Sequence, residues 1–79
     1  VINFKRVLVN KKEHIELSDI MPDSIIIVVN SLSEAIGTIV MGGDGFWFLQ
    51  TVGEVSFRDY DTRIELVMAL EKAGFRCYA

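Results

Sequence analysis

The sequence predicts an α+β domain: a mostly antiparallel β-meander of four to six short strands, with one C-terminal α-helix packed on a face. Three observations carry this. Residues 62–73 have both caps and the apolar arc of an amphipathic helix. Apolar runs at residues 25–29, 37–41, 46–52 and 55–57 have strand length and are separated by turn-forming residues. No repeat, low-complexity run or linker divides the 79 residues, so residues 1–79 are expected to form a single small domain around one core.

In chain order, residues 2–9 read as a first strand, with Ile2, Phe4 and Leu8 inward and Lys5, Val7 and Val9 on the other face. Asn10, Lys11 and Lys12 form a polar turn, and residues 14–17 return with Ile15 and Leu17 inward. Residues 18–24 are irregular, because Pro22 biases Met21 away from helical backbone and Pro-Asp suits the middle of a turn. Residues 25–29, IIIVV, show no alternation and read as the central strand, covered on both faces.

Ser31 and Glu34 have capping-box spacing, but a hairpin loop over residues 31–36 is expected in preference to a helical turn. A strand over 37–41, a tight turn over 42–45 and a partner strand over 46–52 follow. Gly53 and Glu54 turn or bulge the chain before residues 55–57.

The helix is the firmest local feature. Thr62 and Glu65 are expected to satisfy each other's backbone N–H groups, and Asp59 and Asp61 place negative charge where the helix dipole favours it. Lys72 and Gly74 close the other end, with Phe75 folding back on Leu70. Leu66, Val67, Ala69, Leu70 and Ala73 form the inward arc. Ile64 and Met68 fall beside it as surplus apolar surface, which either is covered within the domain, by an angled packing of the helix, a strand or the C-terminal tail, or forms the interface of a homodimer, and self-association through them is an expectation to be tested. A final strand at residues 75–78 completes the sheet.

No motif in the chain names a reaction. The Gly42–Gly43–Asp44–Gly45 run lacks the lysine and hydroxyl of a phosphate-binding loop and joins strand to strand, so it reads as a hairpin turn. His14 is the one histidine and Cys77 the one cysteine, which leaves no ligand set for a metal and no base beside a thiol nucleophile. The acidic residues form no diagnostic local pair. A non-enzymatic protein without cofactor or metal is therefore expected. Cytoplasmic location and no membrane contact are also expected, because a single cysteine suits a reducing compartment and the longest apolar run is far too short to span a bilayer.

Charge is segregated. Lys5, Arg6, Lys11 and Lys12 give the first twelve residues four positive charges and no negative ones. Residues 13–57 hold no lysine or arginine but contain Glu13, Glu16, Asp19, Asp23, Glu34, Asp44 and Glu54. These carboxylates fall largely at turns and strand ends, where they can gather along one rim, repel a polyanion and attract a basic partner. Phe46, Trp47 and Phe48 split between two faces, and whichever ring points outward is an apolar centre for such a contact.

The functional expectation is thus a small acidic protein-binding module, an inhibitor or modulator that engages a basic, nucleic-acid-binding surface of a partner protein without binding nucleic acid itself. Its contact residues are expected among Glu13, Glu16, Asp19, Asp23, Asp44, Trp47, Ile64 and Met68. Two alternatives stand beside it: a nucleic-acid-binding domain that uses the basic N-terminal strand, and a homo-oligomeric structural protein.

Overall fold

Local bonding at the turns explains where each element begins and ends. The computed structural model describes Val7 and residues 25–79, which form β1 (Ile26–Val29), β2 (Ala35–Met41), β3 (Trp47–Thr51), β4 (Glu54–Tyr60), α1 (Arg63–Lys72) and β5 (Arg76–Tyr78). The predicted strands over residues 2–9 and 14–17 and the loop over 18–24 lie outside the described residues, Val7 excepted. The architecture is the expected α+β arrangement, a five-stranded antiparallel sheet with the C-terminal helix packed against it.

Strand order is β4-β3-β2-β1-β5, and every neighbouring pair is antiparallel. β1 is an interior strand, paired with β2 on one side and with β5 on the other, where Val28 meets Cys77. Residues Ile26 and Val28 are buried on the helix side, while Ile27 and Val29 are only half-buried on the opposite face.

The β1–β2 connection is a loop, as expected, but its organiser is Asn30. The Asn30 Oδ1 accepts from the N–H groups of Leu32 and Glu34, both at 2.9 Å, and its Nδ2 donates to Glu34 Oε1 at 3.0 Å. With the turn closed so early, β2 begins at Ala35, two residues before the sequence expectation.

Helix α1 starts and stops where its caps dictate. Thr62 Oγ1 accepts from the Glu65 N–H at 3.2 Å and donates to the Glu65 carboxylate at 3.1 Å. Half of the predicted reciprocal box is therefore replaced, because the carboxylate takes the hydroxyl proton instead of the Thr62 backbone N–H. Thr62→Ala removes both bonds and is expected to cost about 1 kcal/mol, read as a lowered denaturant midpoint at unchanged slope. At the far end, Gly74 (φ +100°) places its N–H on Glu71 O at 3.1 Å and the Phe75 N–H on Leu70 O at 2.9 Å, the paired bonds of a Schellman closure.

The core lies between the helix and one sheet face. It joins Leu66, Val67 and Leu70 of α1 to Ile26, Val28, Ile39, Leu49 and Cys77 of the sheet, with Val7 beside them. Val7 is 1% exposed and its N–H donates to Cys77 O at 2.8 Å, so this residue faces inward and corrects the outward placement expected from alternation. Cys77 is fully buried.

Helix α1 packs on β4 and β5 as well as on β3, and the Phe57 ring of β4 meets Phe75, just before β5, edge-on at 6.1 Å between centroids. Gly37 of β2 is paired with Val28 and Thr51. Any Cβ there would collide with the Gln50 carbonyl, so only glycine permits so close an approach of β3.

Candidate functional site

The strand β4 departs from regular pairing in a way that builds a site. Leu49 opposes Ser56 and Trp47 opposes Tyr60, so Phe57, Arg58 and Asp59 are accommodated opposite Phe48 alone. Phe57 (φ +49°) and Asp59 (φ +67°) both take left-handed backbone. The first turn of the chain lets Phe57 pack against the core next to Ser56. The second returns Tyr60 to the core side, and between them Arg58 and Asp59 are exposed. Left-handed backbone costs on the order of 1–2 kcal/mol per ordinary residue, with aspartate better suited to it than phenylalanine.

Arg58 and Asp59 line one side of a cleft of about 410 Å³ on the sheet face opposite α1. Its remaining walls are Val55 and the β2–β3 hairpin, which contributes Gly42, Gly43, Asp44, Phe46 and Phe48. Asp44 Oδ1 accepts from the Phe46 N–H at 3.1 Å, and the hairpin is closed by Gly42 N–H to Phe46 O at 2.8 Å. A Cβ on Gly42 would lie 3.0 Å from Asp44 Oδ1 and 3.2 Å from Phe48 Cε1, so the carboxylate and the ring edge converge on the space that glycine leaves.

The three consecutive aromatic residues separate as alternation requires. Trp47 shares the inner face with Leu49, packs against the core and lies under the Arg63 guanidinium at 5.7 Å from its centroid. Arg63 Nη1 is buried without a hydrogen-bond partner, leaving the ring quadrupole as its compensation. The rings on the face opposite α1 are Phe46, 38% exposed, and Phe48.

The remaining contact residues are distributed as follows. Glu13, Glu16, Asp19 and Asp23 lie outside the described residues. Asp44 lines the cleft. Ile64 is half-buried against the core and Met68 is 40% exposed on the helix, so the surplus apolar surface of α1 rests mainly on Met68. Of the other carboxylates in the acidic span, Glu34 and Glu54 follow the β1–β2 and β3–β4 turns at one end of the sheet, whereas Asp44 sits on the β2–β3 turn at the opposite end. Glu34 also spends one oxygen on Asn30. These three do not share a rim.

Sequence reasoning missed Arg58 and Asp59. Nothing in an alternation pattern signals two left-handed residues in a strand. Phe46 and Phe48 were within reach, since their shared face followed from alternation once Leu49 was recognised as core.

Elsewhere on the same face, Ile27, Val29, Ser33, Ala35 and Tyr78 line a second cleft of about 550 Å³, with no charged side chain among the described residues that line it. Among the described residues no cluster of metal-ligating side chains occurs, and no helix is long and apolar enough to cross a membrane. No protein-family model, curated protein or solved structure matches the chain.

Proposed function

We propose that the protein is a small non-enzymatic binding module that engages a basic segment of a partner protein through the cleft on the sheet face opposite α1. The observation that carries this reading is the placement of Phe46 and Phe48 in a cleft that is also lined by Asp44 and Asp59. An aromatic pair, Phe46 exposed and Phe48 half-buried, supplies desolvation energy at the centre of a contact, and flanking carboxylates supply long-range attraction and register. Arg58 offsets one of the two negative charges, so the cleft stays net negative and favours a cationic ligand over a phosphate chain. An inhibitor or modulator of a nucleic-acid-binding protein is the functional class this charge preference supports.

The test compares three sets of variants in partner capture from the native cell and in direct DNA and RNA binding. The sets are Asp44→Asn with Asp59→Asn, Glu34→Gln with Glu54→Gln at the other end of the sheet, and Lys5→Gln with Lys11→Gln and Lys12→Gln. The first set is expected to lower partner recovery several-fold and to reduce its salt dependence, with the other two near wild type. Nucleic-acid binding at physiological salt that disappears only in the lysine set would replace this reading with the N-terminal alternative.

A further inference from the structure

Resting on that reading, we infer that the cleft receives a single arginine side chain of the partner, its guanidinium stacked on the Phe46 and Phe48 rings and paired with Asp44 and Asp59. Three properties of the cleft select this occupant. Its aromatic side chains favour a flat, weakly hydrated cation, which a guanidinium is and a lysine ammonium is not.

Its carboxylates come from separate elements. Asp44 belongs to the β2–β3 hairpin and Asp59 to β4, so a forked donor group can be held from two directions where a point charge is held from one. Asp44 uses Oδ1 to hold the Phe46 N–H, and its second oxygen is the one assigned to the ligand.

Size is the third property. At about 410 Å³ the cleft sits near the lower end of the range of roughly 300–1,000 Å³ typical of small-ligand sites, which suits one long side chain with its flanking backbone and excludes a helix. Gly42 sets this space, because a methyl group on it would press on both the Asp44 carboxylate and the Phe48 ring.

The experiment is a nuclear magnetic resonance titration of the full chain with the capped tripeptide Gly-Arg-Gly, against the lysine and norleucine counterparts at constant ionic strength. The arginine peptide is expected to shift the amide resonances of Asp44, Phe46 and Phe48 with an affinity of millimolar order, about three-fold or more tighter than the lysine peptide. Asp59→Asn keeps a side chain suited to left-handed backbone and removes only the charge. It is expected to weaken the arginine peptide about two- to five-fold while the core resonances stay in place. Asp44→Asn retains an acceptor for the Phe46 N–H and serves as the second variant, with the same expected direction.

Equal titration by the arginine and lysine peptides would overturn the arginine assignment and leave the basic-partner reading standing. Shifts confined to other surfaces, or no shift with either cationic peptide, would remove the cleft as the binding site and both readings with it.

Discussion

Gly37→Ala is expected to abolish cooperative unfolding or to lower stability by about 3 kcal/mol or more, the largest effect of any single methyl addition in this domain. The added Cβ meets the Gln50 carbonyl, a backbone atom held in the β2–β3 ladder that cannot rotate aside as a side chain would. Relief requires opening the β2–β3 ladder at Gly37, which disturbs the pairing of Gly37 with Thr51 on one side and Val28 on the other. Gly43→Ala is the matched control. A Cβ there meets nothing within 4 Å, so its effect should stay within about 0.5 kcal/mol. Urea unfolding followed by Trp47 fluorescence and by far-ultraviolet circular dichroism measures both, and equal small effects would mean that the close approach of β3 at Gly37 is not needed for the fold.

Truncating Leu70 ranks second. Leu70 is fully buried, lies among the residues that join α1 to the sheet, and offers its carbonyl to the Phe75 N–H at 2.9 Å. Leu70→Ala leaves a cavity and loosens the packing that holds the returning chain, at an expected cost of about 2–5 kcal/mol. Met68→Ala, on the exposed side of the same helix, should cost less than about 1 kcal/mol. Thermal unfolding separates the two by many degrees in a domain of this size. Similar midpoints would show that the helix presents a different face to the sheet.

The helix and turns were legible because their causes are local. Thr62, Glu65, Gly74 and Phe75 act within one turn of the backbone they bond, so spacing alone places them. Strand order was not legible in the same way. IIIVV reads as central because it is apolar throughout, but the neighbour that completes its interior place, β5, enters only after the helix. The extent of β4 escaped for a different reason. Alternation presumes extended backbone, and left-handed Phe57 and Asp59 break the count on which the pattern rests.

The division of carboxylates between two ends was readable in principle. Successive turns of an antiparallel meander lie at opposite ends, which separates Glu34 and Glu54 from Asp44 without any knowledge of side chains. The cleft itself needed the structure, since it depends on β4 bulging opposite Phe48.

The irregularity of β4 has a consequence for how the protein behaves in a crowded solution. Among the described residues β4 is an outermost strand of the sheet, the place where a second polypeptide could add itself by backbone pairing and begin a fibril. Such growth needs an unbroken, nearly flat row of amide and carbonyl groups. Between Ser56 and Tyr60 the left-handed residues turn that row aside, and Arg58 and Asp59 add charge where an incoming strand would lie. A chain that is 51% hydrophobic thereby carries its own gatekeeper against aggregation. The same three residues that shape the cleft make this boundary a poor template for polymerisation.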